Sequence, residues 1–337
     1  MRNPTSRTTR RSVLKIAAAA LGAQASAGSS DLVRFGHTDL RVSRLCQGTA
    51  FRQLKRDGDD PGGQAVLRRC LDLGINFFDS SNAYGWGGAE TALGKALAGR
   101  RDKAVICTKV SPHAAPGTSE NPTLSREFVF REVEASLRRL QTDYIDLYLY
   151  HNPDNVTPAE VLADTMDRLV RAGKIRYWGA SNFSGKQVAE LVQLGKRKGK
   201  AAIAGLEDYY NIIAGSRGDF MERELFPQIR RGRLGLMAFS PIGEGRLAPE
   251  RPLDRTKPWA PVADAVDEVA KQLGATRPQI CVAWVLTRPE VTCVLAGAER
   301  PEHVDDNFRG TQIKIPADAL QRLNEASARL RGVDTSG

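Results

Sequence analysis

The stretch that decides the fold is residues 74–85, which read GINFFDSSNAYG. The mainly apolar run from Ile75 to Phe78 lies between a glycine and a series of polar residues. Short apolar runs with such boundaries are typical of strands buried in a parallel sheet. Asp79 follows this predicted strand directly, and Tyr84 comes five residues later. The stretch therefore predicts a buried strand that leads into a polar loop.

Similar apolar runs recur along the chain, with amphipathic stretches between them. We predict strands near residues 44–48, 75–78, 104–108, 145–150, 175–179, 203–207, 234–239 and 292–296. Residues 126–140 are a typical intervening helix, because apolar residues recur there at three- and four-residue steps. Eight strands alternating with helices predict an α/β fold of the (β/α)8 barrel type, with two additional helices near 278–287 and 317–330. A chain of 337 residues with 41% apolar content can bury one such core.

Polar side chains follow three of these strands. They are Asp79, Lys109 and His151, and Tyr84 lies in the loop after the first of them. Since the carboxyl ends of barrel strands face one common site, we expect the four side chains to meet. Taken singly, each is more often a capping or ion-pair residue than a catalytic one. Together they predict an acid–base site for reducing a carbonyl group.

Each of the four residues has an expected role. A buried cation favours a phenolate, so we expect Lys109 to lower the pKa of Tyr84. Asp79 is expected to pair with Lys109 and keep its ammonium group charged. His151 then supplies a hydrogen-bond donor for the substrate oxygen.

Residues 74–85 also resemble the first signature of the aldo-keto reductase family. Residues 33–49 resemble the family's opening hairpin and first barrel strand, and residues 134–154 and 173–183 resemble its fourth and fifth units. The resemblance implies a barrel with an N-terminal β-hairpin, forming a single domain over residues 31–337. It also implies an NAD(P)H-dependent oxidoreductase that reduces aldehydes or ketones, reversibly with alcohols. The residues that match the family's catalytic tetrad are Asp79, Tyr84, Lys109 and His151, with Tyr84 as general acid.

The same resemblance assigns the cofactor contacts. Ser181 and Asn182 match positions that hold the nicotinamide carboxamide, and Phe239 matches an aromatic ring stacked on the nicotinamide. Glu207 stands where the family usually has a Gln, so a carboxylate that can only accept replaces an amide that also donates. The other expected cofactor contacts are Ser240, Pro241, Ile242, Gly243, Gly297, Arg300, His303 and Asn307.

The resemblance favours NADP(H) over NAD(H) without excluding NAD(H). Some family members hold the 2′-phosphate of NADP with a Lys and an Arg, and here Gly297 and His303 occupy those positions. Arg300 is close enough in sequence to act as the phosphate partner. The glycines at 85, 87 and 88 lack the Gly-x-Gly-x-x-Gly spacing of a Rossmann fold, so we expect a turn or the hinge of a substrate loop there, and a cofactor at the barrel mouth.

The substrate is expected to be a small-molecule carbonyl compound, whose identity the sequence leaves open. Phe51, Trp86 and His113 are candidates for lining its pocket, although each is as readily a packing residue. A non-catalytic sensor or regulatory subunit that binds nicotinamide on the same barrel is the alternative function. The four histidines are far apart and no paired-cysteine spacing appears, so no metal site is predicted. Five cysteines, an odd number, do not indicate a disulfide framework.

The first 27 residues are expected to be a twin-arginine signal peptide that is removed. Residues 9–15, TRRSVLK, closely resemble the export motif, and an apolar stretch and small-residue cleavage candidates follow. The apolar stretch is about half the roughly 20 residues that cross a bilayer, so no stable membrane anchor is expected. The prediction is a protein exported to the periplasm by the Tat machinery after folding in the cytoplasm. A basic tail is the alternative.

Net charge gives no reason to expect a nucleic-acid partner. Residues 1–30 contain five basic residues and no acid, so their removal lowers the formal net charge from +10 to +5. The basic cluster at residues 196–200 has no interleaved aromatic residues and is interpreted as a solvated helix end.

Overall fold

The computed structural model describes residues 32–112, 123–197 and 199–335. An antiparallel hairpin of β1 (Val33–Arg34) and β2 (Arg41–Val42) comes first. Eight parallel strands follow and close into a barrel, in which the last strand pairs with the first. They are β3 (Leu45–Gly48), β4 (Phe77–Asp79), β5 (Val105–Val110), β6 (Ile145–Tyr150), β7 (Ile175–Ser181), β8 (Gly205–Tyr209), β9 (Gly235–Phe239) and β10 (Cys293–Ala296). The predicted (β/α)8 barrel with an N-terminal hairpin is confirmed.

Helices connect the strands and surround the barrel. They are α1 (Pro61–Asp72), α2 (Gly88–Ala96), α3 (Arg126–Leu140), α4 (Ala159–Arg171), α5 (Gly185–Leu194), α6 (Ser216–Phe220), α7 (Phe226–Gly232), α8 (Ala260–Leu273), α9 (Arg277–Val285), α10 (Pro301–Gly310) and α11 (Ala317–Ala328). The two additional helices predicted near 278–287 and 317–330 correspond to α9 and α11. None of the helices in the described ranges is long and apolar enough to span a membrane.

Two strands continue through residues that we had placed after them. Asp79 is the last residue of β4 and pairs with Cys107, whereas Lys109 lies within β5 and pairs with Leu149. A charged residue ends an apolar run in the sequence, but it does not end a strand when a partner inside the barrel compensates its charge. Both side chains therefore lie inside the barrel rather than in a loop above it.

The hairpin closes the amino-terminal end of the barrel. Phe35, which follows β1, is fully buried and meets Phe77 edge-on, with ring centroids 5.7 Å apart. Gly205 and Gly235, the first residues of β8 and β9, make room for the Phe35 ring, since a Cβ added at Gly235 would lie 2.6 Å from it. The open end of the barrel is therefore the carboxyl end, where barrel sites are found.

Residues 1–27, the predicted signal peptide, lie outside the described residues, as does His113, one of the three candidate substrate contacts.

Candidate active site

A buried lysine is the centre of the site. The Lys109 side chain is 0% exposed, and its Nζ lies 2.6 Å from both carboxylate oxygens of Asp79. The same ammonium group donates to the carbonyl oxygen of Ser80 at 3.0 Å and to the hydroxyl of Tyr84 at 3.3 Å. The structure thus brings together three of the four predicted catalytic residues around one nitrogen atom.

Strand register explains this geometry. Asp79 pairs with Cys107 across β4 and β5, and Lys109 lies two residues beyond Cys107. Because residues two apart in a strand point to the same face, Lys109 projects into the barrel on the side of Asp79. Tyr84 begins a 3-10 turn, Tyr84–Gly87, that follows the carboxyl end of β4. The turn directs the phenol back towards Lys109.

His151 completes the predicted group of four. It directly follows β6, and its ring meets the Tyr84 ring edge-on with centroids 5.6 Å apart. The Nδ1 atom of His151 lies 3.1 Å from the hydroxyl oxygen of Ser81, and its carbonyl oxygen accepts a hydrogen bond from the Asn182 side chain at 2.9 Å. Ser81 was not among the predicted site residues, although it lies only two positions after Asp79 in the opening signature. These contacts fix the imidazole beside the phenol.

Charges in the barrel set the protonation of Lys109. Burial alone would lower the pKa of Lys109, but that pKa is raised, and the carboxylate of Asp79 is the largest opposing charge. The ammonium group therefore stays charged.

Lys109 lowers the pKa of Tyr84, as expected, but the net shift of that pKa is upward. Burial raises the pKa of Tyr84 by more than Lys109 lowers it, and Asp79 raises it further. The phenol holds its proton at neutral pH and can serve as a proton donor.

The pair Ser181 and Asn182 lies at the carboxyl end of β7. Asn182 has a φ of 61°, in the left-handed region that Asn tolerates better than most residues. Its backbone N–H donates to Asp208 at 3.1 Å. Asp208 is buried, and burial raises its pKa to about 8. Sequence reasoning missed this support for Asn182, although an acidic residue beside Glu207 in a buried strand was a visible signal.

Glu207 contacts Lys109 inside the barrel and does not line the cavity at its carboxyl end. One of its carboxyl oxygens, Oε2, is 3.3 Å from Lys109 Nζ, and it accepts no hydrogen bond from the described residues. The pKa of Glu207 is raised well above its usual range, mainly by burial and to a smaller extent by the nearby Asp79. By spacing alone, Asp79, Cys107 and Glu207 are close enough to hold a metal ion. The ammonium of Lys109 already supplies a cation to both carboxyl groups.

A cavity of about 760 Å³ opens beside Tyr84 at the carboxyl end of the barrel. This volume is within the range of ligand-binding clefts. The predicted site residues that line it are Phe51, Asp79, Tyr84, Phe239, Ser240, Pro241, Ile242, Gly297, Arg300, His303 and Asn307. Gly243 belongs to the same loop and has a φ of 59°, but it does not line the cavity. Most of the expected cofactor contacts therefore surround one cleft that leads to the phenol.

Trp86 does not line this cavity, although it is only two residues from Tyr84. Its side chain is 48% exposed, and the guanidinium of Arg56 lies 5.3 Å from its ring centroid. Trp86 has a φ of 56° between Gly85 and Gly87, which also lie in the left-handed region. These glycines form a tight turn, and the role of Trp86 as a substrate contact stays a prediction.

Ion pairs occupy the polar rim of the cavity. Arg300 lies 3.6 Å from Glu250 and 2.9 Å from His303. Arg52 lies 3.8 Å from Glu299 in the same rim. Arg300, the residue expected to meet a 2′-phosphate, is thus at the rim, but Glu250, which sequence reasoning did not identify, already pairs with it.

The fold, with its cavity at the carboxyl ends of the strands, defines an α/β-barrel protein. A model of the Aldo/keto reductase family matches residues 44–328. The chain therefore belongs to the aldo/keto reductase family.

Several relatives are similar over nearly their whole length. The uncharacterized oxidoreductase YrpG of Bacillus subtilis (strain 168) is 31% identical over 311 residues, which cover 86% of this chain and 94% of that protein. Methylglyoxal reductase YeaE of Escherichia coli (strain K12) is 31% identical over 292 residues, covering 86% and 92%. A probable voltage-gated potassium channel subunit beta of Arabidopsis thaliana is 30% identical over 301 residues, covering 82% and 90%. The family and its oxidoreductase relatives support an oxidoreductase.

Proposed function

We propose that the protein is an NAD(P)H-dependent reductase of aldehydes or ketones, reversible with alcohols. The observation that carries this proposal is the Tyr84 hydroxyl at the cavity wall, 3.3 Å from the buried ammonium of Lys109. When bound, the nicotinamide cofactor supplies the hydride chemistry. Tyr84 donates the proton that the reduced carbonyl oxygen needs, and the adjacent cation stabilises the phenolate left behind.

The remaining members of the group prepare this donation. Asp79 holds the Lys109 ammonium in place through two contacts of 2.6 Å. His151, fixed by Ser81 beside the phenol, provides a second polar group for the substrate oxygen. Two donors aimed at one oxygen stabilise the negative charge that develops there.

The cofactor would occupy the 760 Å³ cavity, and the residues present fit it. Phe239 offers an aromatic face, and the loop of Ser240 to Gly243 lies beside the cleft with two residues, Ser240 and Gly243, in the left-handed region. Arg300, His303 and Asn307 lie at the far rim for the adenosine half. We propose NADP(H) rather than NAD(H), because Arg300 at the rim can bind a phosphate through two hydrogen bonds in exchange for its contact with Glu250.

Tyr84→Phe tests the proposal. This variant removes only the hydroxyl, so NADPH oxidation across a panel of carbonyl compounds should fall by about 10²- to 10⁴-fold. Cofactor binding, measured by nicotinamide fluorescence, should persist. Tyr144→Phe is the matched control, since Tyr144 packs against Arg101 away from the cavity. Equal turnover by the wild type and Tyr84→Phe would disprove the role of Tyr84.

A non-catalytic nicotinamide-binding subunit is the second candidate. It is favoured by the relatives named as potassium channel subunits beta, such as the Arabidopsis thaliana protein. Tight NADPH binding by the wild type without oxidation of NADPH by any carbonyl in the panel would favour this function over the reductase.

We also propose that the protein is exported by the twin-arginine machinery and acts in the periplasm. The support is the sequence of residues 9–15, TRRSVLK, with the apolar stretch that follows. Export after folding would let the barrel acquire its cofactor in the cytoplasm.

A further inference from the structure

Glu207 is a second carboxyl group beside the ammonium of Lys109. Its Oε2 lies 3.3 Å from Nζ, while both oxygens of Asp79 lie 2.6 Å away. A side-chain oxygen or sulfur atom from each of Asp79, Cys107 and Glu207 lies within 4.8 Å of the other two. The Glu207 side chain is buried and does not line the cavity. Any effect of Glu207 on the reaction therefore passes through its neighbours in the barrel.

The charges of this cluster balance only when Glu207 is uncharged. The titratable or charged groups that face Glu207 are Cys46 on β3, Asp79 on β4, Tyr84, Cys107 and Lys109 on β5, and Cys293 on β10. Burial raises the pKa of the three thiols and of the phenol, so these four groups are neutral. The positive charge of Lys109 and the negative charge of Asp79 then cancel.

Of the two carboxyl groups, Asp79 is the one that holds the negative charge. Both of its oxygens accept from Lys109, whereas Glu207 makes one longer contact without hydrogen-bond geometry. Two carboxyl groups this close do not both ionise in a buried site. Burial and the neighbouring Asp79 also raise the pKa of Glu207, which agrees with the charge count.

We propose that Glu207 is a positioning residue for proton donation by Tyr84, because its uncharged carboxyl group keeps the cluster around Lys109 neutral. The inference rests on the proposed reductase function. When Glu207 loses its proton to solvent, the cluster gains a net negative charge beside Tyr84. That charge disfavours the phenolate, holds the proton on Tyr84 and stops donation. The Gln expected at this position from the family resemblance is uncharged at every pH, so the glutamate adds a pH sensitivity.

Glu207→Gln tests the proposal by kinetics. In the wild type, kcat for carbonyl reduction should fall about tenfold per pH unit above the ionisation of Glu207, with little change in KM. The Glu207→Gln variant keeps the size of the side chain and should stay level through the same range. Glu132→Gln is the matched control, because Glu132 is another buried glutamate that bonds Asn82 rather than Lys109. A break at the wild-type pH in Glu207→Gln would overturn the proposal.

Infrared spectra of the cofactor-free proteins give a second readout that needs no turnover. At neutral pH the contribution of Glu207 to the carboxylic acid C=O band should be lost in Glu207→Gln and kept in Glu132→Gln. Asp208 contributes equally to all three proteins. Identical spectra for the wild type and Glu207→Gln would show an ionised Glu207 and refute the proposal. If no carbonyl is reduced, the reductase function fails while this infrared comparison still decides the charge of Glu207.

If Glu207→Gln does not fold, a titration of Asp208→Asn serves instead, because this variant keeps Glu207 and lacks the acid band of Asp208. The acid band and kcat should decline over the same pH range. Decline over separate ranges would contradict control of donation by Glu207.

Discussion

Asp208 shows how a single buried group makes stability depend on pH. Its pKa is about 8 in the folded protein, because of burial, and about 3.9 in an unfolded chain. Between these values the folded form holds a proton that the unfolded form has released. The free energy of unfolding should therefore fall as pH rises from about 4 to 8, by at most about 1.4 kcal/mol per pH unit.

Asp208→Asn should remove that slope, since Asn keeps an oxygen to accept from the backbone of Asn182. Urea unfolding at several pH values measures it. Asp318→Asn is the control, because Asp318 is exposed and its bond to Arg322 lowers its pKa instead. Parallel curves for the wild type and Asp208→Asn would contradict a protonated Asp208.

Glu250 sets a testable bias in cofactor choice. It lies 3.6 Å from Arg300 and 3.7 Å from His303, where we place the 2′-phosphate. Glu250→Gln should free both partners and tighten NADPH binding by about three- to tenfold at low salt, leaving NADH binding unchanged. Fluorescence titration with each cofactor measures the ratio. Glu302→Gln makes the same charge change on a residue that does not line the cavity, and should alter neither. An equal gain for NADH would place the phosphate elsewhere.

The four catalytic candidates could be identified from residue types and spacing, because all follow from one signature and three strand ends. Their partners could not. Ser81 and Glu250 are ordinary polar residues in the sequence, and only folding shows what they contact. The direction of the Tyr84 pKa shift also escaped prediction, because spacing identifies the neighbouring cation but does not measure how much water burial removes.

At the scale of single elements, α5 carries a capping box that supports the site indirectly. Ser184 accepts from the backbone N–H of Gln187, and the Gln187 side chain accepts in return from the backbone N–H of Ser184. The helix begins three residues after Asn182. Ser184→Ala should lower the free energy of unfolding by about 1 kcal/mol, because the cap is lost.

Thermal or urea unfolding measures this loss, and Ser184→Asp should retain stability because it keeps a capping oxygen. Equal losses in both variants would show that the cap is not the cause. Cofactor affinity should be unchanged in each folded variant.

Strand prediction succeeded where a single acid lies inside an apolar run, as Asp146 does within residues 145–150. The predicted strand at residues 145–150 matches β6, Ile145–Tyr150. The strand predicted at 203–207 lies two residues too early, since β8 continues through Glu207 and Asp208 to Tyr209. Two successive acids such as Glu207 and Asp208 resemble a loop in the sequence. Because both side chains are buried in the fold, the strand continues through them.

For the whole molecule, export is the property that most needs a test. Replacing Arg10 and Arg11 together with Lys should prevent export and leave the full-length chain in the cytoplasmic fraction. Arg7→Lys is the control, because it lies outside the TRRSVLK motif. Cell fractionation with immunoblotting measures the distribution. Equal periplasmic amounts of all three proteins would refute twin-arginine export.

Because Phe35 and the hairpin close one end of the barrel, the cavity and the start of the described chain lie at opposite ends. The described chain begins at residue 32, directly before the hairpin. The hairpin covers the amino-terminal end of the barrel, and the cavity opens at the other end. The described chain therefore begins at the end of the barrel opposite the cavity. On the proposed twin-arginine export, the cofactor would enter at one end of the barrel while the chain leads towards the translocase from the other.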